Sequence, residues 1–221
     1  KNIVTFSLCD FDNNTITDNG FLCKLDNYIF EVSLLGEFNL SNMLAALNSL
    51  QELGFSRDKI IPLLPKLYSP TGRMHKIKNI SAWVDYAHTP DAISNALSTL
   101  KKHFPSHKVR VVFGCGGNRD KGKRAKMGKI ASELANSIIL TNDNPRNEDP
   151  NTIINEIISG INDNFEVEVI LDRRLAIETA ISTLKEDECL LIAGKGHETV
   201  QQFKDKTIEI NDIKIAQNAA I

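Results

Sequence analysis

Three turns in this chain carry the residue types that hold small charged ligands. Residues 114–124, GCGGNRDKGKR, interleave glycines with Arg119, Lys121 and Lys123. Gly117 to Lys123 has the G-x-x-x-x-G-K spacing of a Walker A loop, but Arg124 stands where that loop needs a Ser or Thr hydroxyl for Mg2+. The same residues suit an anion held by backbone N–H groups and Arg119 ahead of a helix N-terminus, or a plain solvated basic turn. Residues 141–146, TNDNPR, set Arg146 on a turn fixed by Pro145. Its planar guanidinium fits a carboxylate; the alternative is an Asx/Pro turn with an exposed arginine. Residues 193–198, AGKGHE, combine Gly194 and Gly196 with Lys195, His197 and Glu198, whose carboxylate can pair with a ligand ammonium. A lone histidine such as His197 is more often a hydrogen-bonded structural group than a base. A fourth turn, VDYAHTPD (84–91), places Asp85, Tyr86 and His88 just before a helix start, which suits a nucleotide or a simple N-cap.

These turns need a scaffold that delivers them to one place. Each of the three follows an apolar run that reads as a buried parallel strand, and open α/β sheets bind ligands at the carboxyl ends of such strands. From residue 76 onward strands and helices alternate. Strands are expected at 80–86, 109–113, 137–141, 167–171, 188–193 and 207–210. Helices are expected from Pro90, at 122–135, 150–161 and 173–185, and at the C-terminus. That alternation implies an α/β fold with a Rossmann-like, doubly wound, mostly parallel sheet. Before it, NIVTFSL, TITDNGF and YIFEVSLL read as short strands and turns. Leu40, Met43, Leu44, Leu47 and Leu50 mark a helix closed near Gly54. A second helix begins at Ser56 and is shortened by Pro62 and Pro65.

Bulk properties exclude several classes. A net charge of −2 makes no electrostatic case for nucleic acid or an anionic membrane. No apolar run reaches the length of a membrane span. Cys9, Cys23, Cys115 and Cys189 are scattered without metal-ligand spacing, so no metal site is expected and reduced thiols in the cytoplasm fit best. Cys115 in its glycine turn reads as a small buried residue rather than a nucleophile. Lys1 leads straight into an apolar stretch, so the chain reads as the C-terminal portion of something longer.

In this order and spacing, GEFNLSN, GRM, VDYAHTPD, FGCGGNRDKGKR, TNDNPR and AGKGHE resemble the Mur ligases of peptidoglycan synthesis, and so of cell-wall biogenesis, cell shape and division. The similarity is strongest to the branch that adds the third peptide residue, and it covers essentially the whole chain. It implies that residues 1–75 are the C-terminal part of the family's central ATP-binding domain and 76–221 its C-terminal Rossmann-like domain. It implies an ATP-dependent ligase. The γ-phosphoryl group moves to the D-glutamate carboxylate of the UDP-N-acetylmuramoyl-dipeptide, and the amine of meso-diaminopimelate then displaces phosphate from the acyl phosphate. Asn39, Asn42, Arg73, Asp85 and His88 would line the ATP side; Arg119, Asn144, Arg146, Gly194 and Glu198 would form the amino-acid pocket. No catalytic base is assigned. The family's P-loop and the residues that chiefly bind Mg2+ fall before Lys1, so this chain alone is expected not to turn over. A monomer acting on small molecules is expected.

The acceptor follows from charge. Diaminopimelate carries an amino-carboxylate at each end, and L-lysine lacks the distal carboxylate. An arginine left desolvated and unpaired can reject the analogue by about 10⁴-fold. Other readings are an L-lysine-adding or different-step Mur ligase, a more distant folylpolyglutamate-synthetase-like enzyme, or a small P-loop-like nucleotide-binding module sensitive to Lys123→Ala.

Overall fold

The computed structural model describes residues 3–221, which divide into two compact units. The first takes the described residues up to Ser69 together with Lys102–Pro105. Here β1 (Asn13–Thr17), β2 (Gly20–Leu25) and β3 (Tyr28–Val32) form an antiparallel meander. TITDNGF turns out to span a hairpin, with Thr17 paired to Gly20 across the turn. The alternate residues Phe21, Cys23 and Leu25 pack with Leu40, Met43, Leu44 and Leu47 of α1 (Glu37–Glu52). Leu50 of the same helix is exposed. After α2 (Arg57–Ile60), residues Ile61–Lys66 tighten into a 3-10 helix, the expected effect of two prolines that lack donors. The strand expected at NIVTFSL is not formed: residues 3–7 are irregular, Leu8–Asp10 is a short 3-10 turn, and Ile3 is 87% exposed. The first residue of that run, Asn2, lies outside the described ones. Residues 3–7 pair with no strand among the described residues.

The second unit, Pro70–Lys101 with Ser106–Ile221, holds a six-stranded sheet in the order β4-β5-β9-β6-β7-β8. Its strands are β4 (His75–Lys76), β5 (Ala82–Asp85), β6 (Lys108–Phe113), β7 (Ser137–Leu140), β8 (Val167–Val169) and β9 (Glu188–Ala193). All neighbours are parallel except the β4 edge. Between the strands lie α3 (Pro90–His103), α4 (Gly122–Leu134), α5 (Pro150–Ile158) and α6 (Arg173–Ser182). A hairpin of β10 (Val200–Gln202) and β11 (Thr207–Glu209) precedes α7 (Asp212–Ala219). The mostly parallel sheet expected from strand–helix alternation is present.

β9 lies at the centre, and every one of its residues is buried. Leu190 and Ile192 pack with Ala176, Ile177 and Ala180 of α6 and with Ile213, Ile215 and Ala216 of α7. The alternate residues Cys189 and Leu191 are equally buried on the other face, as expected of a parallel strand covered on both sides. α4 meets α5 closely, because a Cβ on Gly128 would stand 2.1 Å from the Ile157 carbonyl. Below the sheet's carboxyl end, Arg173 and Asp212 form an ion pair buried at 0% exposure on both sides, with Nε–Oδ1 at 2.9 Å and Nη2–Oδ2 at 2.7 Å. Arg173 Nη1 and Nη2 also donate to the Asn142 and Ala193 carbonyls, tying the ends of two strands together.

Candidate functional site

The carboxyl ends of β5, β6, β7 and β9 open into one cleft of 480 Å³. Tyr86, His88 and Thr89 wall it after β5, and Arg119, Asp120 and Lys123 after β6. Asp143, Asn144 and Arg146 follow β7, and Gly194 and Glu198 follow β9. Arg119, Asn144, Arg146, Gly194 and Glu198, proposed from sequence for the acceptor, thus share a single wall system, with His88 beside them.

The turn after β7 is held in an uncommon shape. Arg146 has φ +52°, a left-handed conformation rare for a residue with a side chain. Its N–H donates to the Gln202 carbonyl at 3.0 Å, and its Nη1 donates to the Gly117 carbonyl at 2.9 Å. Its other guanidinium N–H groups make no hydrogen bond among the described residues. Asn144 is buried, with Oδ1 accepting from Lys195 Nζ at 3.1 Å and from the Gln202 N–H at 2.9 Å. Its Nδ2 donates to Glu198 Oε2 at 3.1 Å.

Lys195 is fully buried and places its ammonium 2.8 Å from Glu198 Oε2. Burial alone would raise the Glu198 carboxyl, but the Lys195 hydrogen bond and charge, the Asn144 amide and the Arg146 charge hold it below its usual range. Asp143 is only 9% exposed, and its carboxylate accepts no hydrogen bond among the described residues. Gly194 sits at φ +116°, where a Cβ would approach Asp143 Oδ2 to 2.9 Å; glycine is what lets the two strand ends close on each other.

Residues 114–124 do not form a nucleotide cradle. The Gly117 N–H donates to the Asn144 carbonyl, that of Asn118 to Glu148 Oε1, and those of Gly122 and Arg124 to Asp120 Oδ1 and the Lys121 carbonyl. These four backbone donors are spent inside the protein, and the Asp120 carboxylate already accepts the Gly122 N–H at the start of α4, so those groups are not available to an anion. Arg124, in place of the hydroxyl, is completely buried. Its Nη1 reaches Glu148 at 2.8 Å and Glu156 at 2.6 Å, and its Nη2 reaches the Gly116 carbonyl at 3.0 Å. Hydrogen bonds from Arg124 and from Asn118 N–H pull the Glu148 carboxyl down to about 2. Lys123 Nζ donates outward, to the His88 carbonyl at 2.7 Å. Cys115 Sγ lies against Met127 Sδ, and burial pushes the thiol up to about 12, so it is no nucleophile at neutral pH.

Around β5, the Asp85 carboxylate accepts from the Met74 N–H at 2.6 Å and the Ala87 N–H at 2.8 Å. Burial pushes its carboxyl up against those bonds. Asp85 therefore fixes the GRM segment to the strand end, and Arg73 is left stacked 4.7 Å over the Tyr86 ring. His88 and His197 also contact that ring. Gly72 has φ +72°, and a Cβ there would stand 2.3 Å from the His197 nitrogen, so the GRM and GKGHE turns touch backbone to backbone. Asn39 and Asn42 lie on α1 of the first unit, where Asn39 Nδ2 donates to the Leu35 carbonyl at 2.8 Å. Among the described residues no group of three or more His, Cys, Asp or Glu could hold a metal ion.

The geometry gives roles to residues that the sequence did not assign to a ligand. Asp143 and Tyr86 stood inside strings already singled out, and their neighbours were the available signal. Lys195 was visible as a lysine, but its burial against Glu198 was not. Arg173 and Gln201 carried no local signal at all.

Known proteins with this arrangement are informative. A sequence model of the family described as "Mur ligase, glutamate ligase domain" matches residues 72–196. A UDP-N-acetylmuramoyl-L-alanyl-D-glutamate–2,6-diaminopimelate ligase of Rickettsia felis is 47% identical over 189 residues, which are 85% of this chain and 36% of the relative. A solved structure of a ligase of the same name aligns at TM-score 0.72 and 36% identity, covering 98% of this chain and 46% of that one. The Thermotoga maritima UDP-N-acetylmuramate–alanine ligase, 17% identical, shares the fold at TM-score 0.65 over 95% of this chain and 44% of its own. The chain spans about two fifths of the length of the curated relatives it matches.

Proposed function

The chain belongs to the Mur ligase family, and from that premise we propose that it carries the acceptor half of an ATP-dependent ligase joining meso-diaminopimelate to UDP-N-acetylmuramoyl-L-alanyl-D-glutamate. The observation that carries the reading is the charge layout of the cleft. Arg146, with guanidinium donors that make no hydrogen bond among the described residues, and Arg119 line it together with the carboxylates of Asp143 and Glu198. A distal amino-carboxylate needs both signs within a few ångströms, and this cleft supplies both. Arg146 and Arg119 bind the carboxylate, Glu198 and Asp143 take the ammonium, and Asn144 and Gly194 shape the turn between them.

Residues 1–75 are assigned to the central ATP-binding domain and 76–221 to the C-terminal domain. ATP is assigned to the side of Arg73, Asp85 and His88. Asp85 acts there by anchoring the Arg73 segment, since its own oxygens are engaged. When bound, ATP would supply the phosphoryl group that activates the D-glutamate carboxylate. The residues described here bind and orient the amine that attacks it. The 221 residues by themselves are proposed to bind acceptor without turning over. The free cysteines fit a cytoplasmic site of action.

Calorimetric titration tests the reading. Meso-diaminopimelate should bind saturably, and L-lysine about 10⁴-fold more weakly or not detectably. Arg146→Ala should lose about 1.5–3 kcal/mol of diaminopimelate affinity, roughly ten- to 150-fold, as expected for hydrogen bonds to a charged group. Equal affinity for lysine and diaminopimelate would sink the assignment of Arg146.

A further inference from the structure

Gln201, Gln202 and Phe203, at the end of β10, each touch the turn after β7. Gln201 is 2% exposed and directs both hydrogens of its Nε2 amide at that turn, to the Asn142 carbonyl at 3.2 Å and the Asp143 carbonyl at 2.7 Å. The next residue, Gln202, donates its N–H to Asn144 Oδ1 at 2.9 Å and accepts the Arg146 N–H at 3.0 Å. Phe203 then forms an isolated parallel bridge with Arg146. Four of the five positions from 142 to 146, all but Pro145, are thus bound by the three consecutive residues Gln201, Gln202 and Phe203.

The turn needs such support. It carries a positive φ at a residue with a long side chain, and such a conformation persists only where its surroundings over-determine it. Two successive carbonyls pointing the same way inside the protein also require donors. Arg173 supplies one to Asn142 from below; for Asp143 the donor is Gln201. β11 pairs with β10, so Gln201 is also held from the hairpin side, opposite Ile208.

We propose that Gln201 is a positioning residue for acceptor selection: it touches no ligand, and it holds the 142–146 turn in the shape that aims Arg146 and Asp143 into the cleft. This rests on the acceptor reading given above, but the shape of the turn can be measured without any ligand. Gln201→Met keeps the length and bulk of the side chain and removes both donors; Gln201→Asn keeps the amide one methylene too short to reach both carbonyls.

Amide hydrogen exchange on the chain, followed residue by residue, should show Arg146 and its neighbours at 142–147 exchanging at least about tenfold faster in Gln201→Met, with β6 and β9 amides unchanged. Calorimetry on the same protein should show diaminopimelate affinity lowered about tenfold, the scale of two lost neutral hydrogen bonds. Should the Met variant fail to fold, Gln201→Asn carries the same two readouts. Unchanged exchange at 142–147 overturns the proposal, as does a loosened turn with diaminopimelate affinity intact. A loosened turn in a chain whose wild type binds no diaminopimelate supports the positioning role and sinks the acceptor reading instead.

Discussion

At the scale of single residues, the cleft is governed by one buried cation. Lys195 and Glu198 are an i,i+3 pair whose ammonium has no access to water, and both contact Asn144. In the wild type Glu198 is held below its usual range, so it stays ionised and acceptor binding should be level from about pH 8 down to about pH 5. Lys195→Met removes the largest lowering influence and leaves burial, which raises the carboxyl, opposed only by Asn144 and Arg146. Affinity for diaminopimelate should then fall as pH drops from about 7 to about 5, as Glu198 takes up a proton. Titrations across that range check this, and a pH-independent variant would show that Lys195 does not set the charge of Glu198. Sequence makes Arg146 and Glu198 candidates because their types match an amino-carboxylate. It could not make Gln201 visible, because an amide shared between two carbonyls differs from an exposed glutamine only through burial, and burial is set by the whole fold.

At the scale of elements, periodicity was informative wherever one local pattern decided the outcome. α4, α6 and β9 form within a few residues of the expected positions, and Pro90 and Asp149-Pro150 open helices as an N-terminal proline should. Expectation failed where a partner had to be supplied from elsewhere. NIVTFSL has the composition of a strand but pairs with none among the described residues, and β10 is too short and polar to announce itself, yet it is made by pairing with β11. Helix contacts follow the same rule. Gly128 looks like a helix-weakening residue in sequence, whereas in the fold it is the point where α4 meets the end of α5. Gly128→Ala would gain helix propensity but drive a methyl into the Ile157 carbonyl. The expected result is a net loss of about 1–3 kcal/mol in urea unfolding, as for overpacking elsewhere. A more stable variant would mean that the two helices can slide apart freely.

At the scale of the molecule, strand–helix alternation announced a parallel sheet but not its order. β9 inserts between β5 and β6, pairing Ala82 with Leu190, and no local pattern encodes a contact that distant. The buried Arg173–Asp212 pair is equally non-local, and removing one partner would leave a charge in the interior at a cost of about 3–5 kcal/mol. That ordering has a consequence for anything that settles in the cleft. Its walls come from four segments that are far apart along the chain and meet only when the sheet is complete. An occupant that grips several of them is therefore a reversible cross-link, absent from the unfolded chain and removable by dilution. By mass action it should stabilise the second unit by about 2.7 kcal/mol at a hundred times its Kd. Melting curves with and without diaminopimelate would show this as a concentration-dependent upward shift, and the ligand that produces the shift names the occupant without any assay of turnover.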